Sequence, residues 1–209
     1  MKSKSALDDA DIQLIEDVIK TQGKNWSDDR LKPIKRKIKD YLKAQDCSCC
    51  YCRRSFWGEA NFDIDIEHIL PKKKFKLYEF HPDNLNIACK RCNMFKKGQR
   101  TDFLDNLQLV ATQPFRVDNY KFPHPNLETY EDHLKLVSSI DGPVKLTKYV
   151  LNQNGWKGPF TREFFELQEL EEDSMNKAQG IEEDKPIQLM SDDAANKLRD
   201  LIKKTSSEE

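Results

Sequence analysis

Two C-x-x-C pairs, Cys49/Cys52 and Cys89/Cys92, carry the most specific chemical signal in the chain. A tight turn brings residues i and i+3 together, so each pair can offer two thiolates to one metal. Two such pairs complete the tetrahedral four-cysteine set typical of structural Zn2+. The run C-S-C-C-Y-C also contains a Cys47-x-x-Cys50 spacing. Cys49 and Cys52 are preferred because basic, turn-like residues follow Cys52, which leaves Cys47 and Cys50 as spare thiols. The gap between the pairs is longer than in a simple ribbon and suits a hairpin with a role of its own. It holds E-H-I-L-P, Glu67 to Pro71, and it leads into D-N-L-N-I-A-C-K-R-C-N-M-F-K-K-G, Asp83 to Gly98, which contains the second pair.

In this order and spacing the residues resemble the HNH nuclease motif. That pattern is C-x-x-C, an acidic residue before His, Asn-Leu, then C-x-x-C-Asn with a Lys shortly after. The likeness spans residues 47–98, about a quarter of the chain. It implies two antiparallel strands and a helix around one catalytic metal, the ββα-metal core, acting on DNA. By the same resemblance His68 is the general base that deprotonates water. Glu67 and Asn93 are ligands of a catalytic Mg2+ or Mn2+. Asn84 braces the loop and orients His68. The acidic position is often Asp and the third position often His, so Glu67 and Asn93 are departures. Asp65 shares a strand face with Glu67 and is placed to share the metal. Lys72, Lys73, Lys74 and Lys76 follow the histidine, and Lys90, Arg91, Lys96 and Lys97 sit on the expected helix. They are expected to surround the phosphate site, with Lys72, Lys73, Lys74, Lys76, Lys96 and Lys97 as the nucleic-acid contacts. Phe75 and Phe95 read as packing residues. His81, His124 and His133 read as surface or packing residues.

The elements that must position these groups follow from periodicity. Leu7, Ile12, Ile15, Val18 and Ile19 predict a helix over 7–20. Leu31, Ile34, Ile38, Tyr41 and Leu42 predict another over 31–45, and its lysines read as a solvated face. Residues 62–67 alternate, with Phe62, Ile64 and Ile66 on one face and Asp63, Asp65 and Glu67 on the other, which predicts a half-buried strand. Residues 85–88 predict the returning strand. Cys89 to Lys97 predict a short helix closed by Gly98 at positive φ. Residues 101–160 read as irregular, with a helical turn at Leu146–Leu151. Acidic helices are expected over 160–178 and 192–204, the latter capped by Ser191. The tail Ser206–Glu209 is expected to be disordered. The fold class is α+β and mainly helical. A helical region (1–46) precedes the nuclease module (47–100) and an acidic mixed region (101–209).

Charge divides the same way. Residues 31–100 hold 17 Lys and Arg against 8 Asp and Glu, a net of +9, whereas residues 101–209 hold 13 against 21, a net of −8. A basic centre between acidic flanks suits a polyanion site. No stretch approaches the roughly 20 apolar residues of a membrane span. The first residues lack an apolar signal core, so a cytoplasmic location is expected, where cysteines serve metals rather than disulfides. Outside the motif, Y-E-D-H-L at 130–134 and the flanking helices resemble the PtuB-like HNH subunits of Septu and retron anti-phage systems. That likeness implies an ATPase partner, with apolar stripes at Phe160, Phe164, Phe165, Leu167 and Leu170 and at Ala194, Leu198, Leu201 and Ile202 offered for docking or for intramolecular packing. Rival readings are a zinc-stabilised nucleic-acid binder without catalysis, a partner-docking protein, and an HNH nuclease that cuts RNA or tRNA.

Overall fold

Asp8 and Asp11 start the first helix. In the computed structural model, which describes residues 6–21, 26–142, 144–173 and 196–197, the Asp8 carboxylate accepts from the Asp11 amide at 2.9 Å. Asp11 returns the bond to the Asp8 amide at 3.1 Å. This reciprocal cap is worth about 1 kcal/mol and sets α1 at Asp9–Lys20. The second helix, α2 at Lys32–Gln45, carries Pro33 in its first turn, where a missing N–H costs nothing. It buries Ile34 and Ile38, each contributing roughly 1.5–3 kcal/mol. With Ile15, Val18, Trp26, Leu31 and Leu85 they form one apolar cluster.

The central hairpin pairs β1, Ile64–His68, antiparallel with β2, Leu85–Cys89, placing Ile66 opposite Ile87 and His68 opposite Leu85. The expected open charged face does not exist. Glu67 is 1% exposed, while Phe62 lies in a turn before the strand and is 78% exposed. The reason is that the hairpin is covered from two sides. Ile64 and Ile87 enter a larger core built around the cysteines, and Ile66 and Leu85 meet the helical cluster. A helical segment, Arg91–Lys97, follows β2. Its Gly98 amide donates to the Asn93 carbonyl, five residues back, so this turn is wider than an α-helix. Gly98 has φ 50°, as its closing role requires.

The region read as irregular contains regular structure. Asn106 caps α3 at Leu107–Thr112. The segment Leu146–Leu151, expected to be helical, belongs to β4 (Val144–Leu151), which follows β3 (Leu134–Asp141) in a sheet of order β3-β4-β5, with β5 at Glu172–Asp173. Val144, Thr147, Tyr149 and Val150 are residue types that favour a pleated surface. Tyr149 is buried, and its hydroxyl donates to the Cys52 carbonyl at 2.6 Å. Gly155 lets the chain cross His133, since a Cβ there would lie 2.3 Å from the His133 Cα.

The expected acidic helix over 160–178 is also shorter. It is α4, Gly158–Phe164, and Glu166 then turns left-handed at φ 48°. The Arg91 guanidinium takes the carbonyls of Phe165 and Glu166 at 2.8 and 2.9 Å, which helical continuation would have used. Phe164, Phe165 and Leu167 are buried in the cysteine core. The packing half of that expectation is what these residues show, with Phe160 and Leu170 partly buried against the same core. Of the helix expected over 192–204 only Asn196 and Lys197 are described, and they are helical. Ser191, Ala194, Leu198, Leu201, Ile202 and the tail lie outside the described residues.

The architecture is mixed α+β. The described residues up to 139, together with 146–172, form one compact unit. Among the described residues no helix is long and apolar enough to cross a membrane.

His124 generates a stability prediction. Its Nδ1 accepts from the Asn126 amide at 3.2 Å, so Nε2 carries the proton, buried and without a partner among the described residues. Burial, aided by Lys157, pushes this imidazole down to about 3. The unfolded chain takes up the proton near pH 6.5 and the folded chain only near 3, so stability is lost as pH falls below about 6.5. The urea midpoint should fall between pH 7 and 5 more steeply in the parent than in His124→Asn, whose amide oxygen can replace Nδ1. Equal slopes would remove His124 as the cause.

Candidate functional site

The cysteine knuckle is shaped by its backbone. Arg53 takes φ 57°, its amide donates to the Cys49 carbonyl at 2.8 Å, and the Cys49 amide donates to the Arg54 carbonyl at 2.9 Å. This loop and the end of β2 bring the sulfurs of Cys49, Cys52, Cys89 and Cys92 within 4.8 Å of one another, all buried. Cys52 and Cys89 lie 3.9 Å apart, close to the roughly 3.8 Å that Zn–S bonds of about 2.3 Å impose in a tetrahedron. The amides of Cys89 and Cys92 point at the Cys49 and Cys89 sulfurs, at 3.4 and 3.5 Å. Burial pushes the Cys49 thiol up, and a dication reverses that preference. Donor set, spacing and burial fit structural Zn2+. Cys47 and Cys50 stand outside the cluster, so the Cys49/Cys52 pairing is the one formed.

Beyond the cysteines, Glu67, His68 and Asn93 line one cleft of about 140 Å³, together with Lys72, Lys97 and Gln99. His68 ends β1 and is buried against the Trp26 ring, edge to face at 4.5 Å between centroids. Its Nε2 lies 3.0 Å from the Glu79 carbonyl. A carbonyl can only accept, so Nε2 holds the proton and Nδ1 keeps its lone pair. Burial, followed by the charge of Lys72, pushes the imidazole down to about 3, so it is neutral near pH 7.

Asn84 is fully buried and does not line the cleft. Its oxygen accepts from the Leu70 amide at 2.7 Å, and its nitrogen donates to the carbonyls of Tyr78 and Leu70 at 2.8 and 3.3 Å. It thus clamps both ends of the loop after His68. Asn93 donates its amide to Asp65 at 3.0 Å. Asp65 also pairs with Lys90 at 3.3 Å.

The largest departure is Lys97. Expected to decorate the helix for nucleic acid, it is 1% exposed. Its ammonium sits 2.7 Å from Glu67 Oε1 and donates to the His68 carbonyl at 2.8 Å. Tyr51 donates its hydroxyl to the same Glu67 oxygen at 2.9 Å. Burial pushes the Glu67 carboxyl up, and Lys97 and Tyr51 pull it back down. Sequence reasoning did not single out Tyr51, Glu79 or Trp26. An aromatic inside the cysteine run was the only hint of Tyr51, and nothing local pointed to the other two.

The remaining cations divide. Lys72 is half-buried beside the cleft and over the Trp26 ring. Lys73 and Lys76 are exposed, and Lys74 donates to the Thr101 hydroxyl at 3.1 Å. Lys96 is paired with Glu166 and Glu169, and Arg91 with Glu169 at 2.9 Å. Phe75 packs against the core, whereas Phe95 is exposed. Comparison with family models, curated proteins and solved structures found no match.

Two outcomes follow for purified protein. Lys97→Met should destabilise the fold by about 3–5 kcal/mol by stranding the Glu67 carboxylate. Adding Glu67→Gln should recover much of that loss in urea titrations; a double variant as weak as the single would place the cost elsewhere. Cys89→Ser should lose its zinc, measured by metal analysis, while Cys47→Ser retains it.

Proposed function

We propose that the chain is a metal-dependent HNH endonuclease that hydrolyses DNA phosphodiester bonds, with His68 as general base. The carrying observation is the His68 imidazole, whose Nδ1 lone pair is left free by the Glu79 carbonyl in a cleft shared with Glu67 and Asn93. The strand, strand, helix order around these residues is the arrangement expected of a ββα-metal core.

The donors of the cleft suit a hard divalent ion. Tyr51 and Lys97 both use Oε1 of Glu67, and Asp65 uses the nitrogen of Asn93, so a carboxylate oxygen and an amide oxygen remain. Mg2+ or Mn2+ held by Glu67 and Asn93 would polarise the phosphate and stabilise the departing 3′ oxygen. His68 Nδ1 takes a proton from water as the water oxygen bonds to phosphorus and the bond to the 3′ oxygen breaks. Burial is the first cause that lowers this imidazole and Lys72 the second, and the negative charge a phosphodiester brings beside Lys72 offsets that second cause. Asn84 holds the loop, so the ring stays aimed at the cleft. Asp65 orients Asn93 through its amide. An ATPase partner of the anti-phage kind belongs to this proposal through the resemblance alone.

The test is nicking of supercoiled plasmid. The parent should cut with Mg2+ or Mn2+, stop on brief EDTA treatment and resume when metal returns. His68→Ala should lose about 100-fold or more in rate with its zinc content unchanged. Cleavage by His68→Ala at the parental rate would overturn the assignment. Binding without cleavage would favour the non-catalytic reading, and cleavage of tRNA but not plasmid would move the substrate to RNA.

A further inference from the structure

We propose that DNA approaches the cleft along α2, held by Lys32, Lys35, Arg36 and Lys39, and not across the helical segment that carries Lys96 and Lys97. The inference rests on the nuclease reading for the identity of the polyanion. A groove of about 700 Å³ has these four side chains along it. Lys72 and Asn93 line both this groove and the catalytic cleft, so one opens into the other. Positions 32, 35, 36 and 39 recur at helical spacing and share one face. They span about 10 Å of helix, close to the axial rise of three phosphates along one strand of duplex DNA.

Charge accounting separates the two paths. Along the helical segment every cation is already met by a carboxylate: Lys90 by Asp65, Arg91 by Glu169, Lys96 by Glu166 and Glu169, and Lys97 by Glu67. On the groove face of α2 the two half-buried lysines have neutral partners, while Lys37, which does not line the groove, pairs with Asp8 and Asp11. Lys35 donates to the Trp26 carbonyl at 2.8 Å, and Lys39 donates to the carbonyls of Asn61 and Ile64 at 3.0 and 2.5 Å. Arg36 is exposed and has no carboxylate partner among the described residues. Lys32 reaches Asp29 at 3.1 Å, but both side chains are more than 70% exposed, so water and salt screen the pair. Burial lowers both Lys35 and Lys39, and an arriving phosphate would offset that penalty. The one carboxylate lining the groove, Asp65, is already paired with Lys90. The face that reads as solvated in sequence is thus a positive surface adjoining the cleft that carboxylates leave largely uncompensated among the described residues.

The experiment measures binding, not cleavage. Full-length protein carrying His68→Ala is titrated against a fluorescent DNA duplex by anisotropy, from 50 to 200 mM salt. Adding Lys32→Glu and Arg36→Glu should weaken binding about tenfold or more at low salt. It should also reduce the salt slope by about 0.9 for each phosphate that is no longer neutralised. Both side chains are exposed, so circular dichroism and zinc content should match the parent, and the milder Lys32→Gln/Arg36→Gln pair should show the same trend. Lys96→Gln should leave the slope unchanged. Unaltered affinity and slope in the Lys32/Arg36 variants would overturn the groove while leaving parental plasmid cleavage, and so the nuclease reading, intact. Parental protein that neither binds nor cuts DNA would overturn both.

Discussion

Burying a carboxylate costs several kcal/mol unless a cation and hydrogen-bond donors meet it, and Glu67 is met by both. Lys97 supplies the charge and Tyr51 a hydroxyl. The same ammonium donates to the His68 carbonyl. One buried cation therefore ties together the end of β1, the helical segment after β2 and the cysteine loop that carries Tyr51. The wide turn over Arg91–Lys97 and the left-handed Gly98 place Lys97 where this is possible. The geometry of the cleft depends on that tie, because Glu67 and His68 are adjacent on the strand it secures.

Around this centre the histidine is held from several directions. Trp26 packs its edge, Glu79 fixes its tautomer, and Asn84 clamps the loop that follows. Each contact removes a freedom of the imidazole ring. Under the proposed nuclease reading, such preorganisation would spare the imidazole any reorganisation when substrate arrives.

The acidic second half of the chain has a physical role in the same frame. Glu166 and Glu169 neutralise Lys96 and Arg91, and Tyr149 closes over the Cys52 carbonyl. These contacts brace the helical segment and the knuckle from outside the motif. They also neutralise the cations of that segment, Arg91 and Lys96, with carboxylates from the second half of the chain.

Elements whose signals are local were legible in the chain alone. The cysteine pairs name their own cluster because a turn brings i and i+3 together. The periodicity of α1 and α2, the returning strand over 85–88 and the stop at Gly98 were readable for similar reasons, whereas Glu67, His68, Asn84 and Asn93 were singled out through the resemblance, and folding brings three of them, Glu67, His68 and Asn93, to one cleft. Whatever depends on partners distant in sequence was settled only by folding. Nothing near Lys97 reveals that it is buried, since a lysine on a short basic helix looks solvated until Glu67 is placed beneath it. Leu146–Leu151 became a strand because β3 supplies backbone partners that a local reading cannot see. The α4 helix gives way at the left-handed Glu166, where Arg91, 74 residues before Phe165, meets the carbonyls of the turn. Which lysines keep a free charge was likewise set by long-range pairing, because electrostatic compensation belongs to neighbours in space.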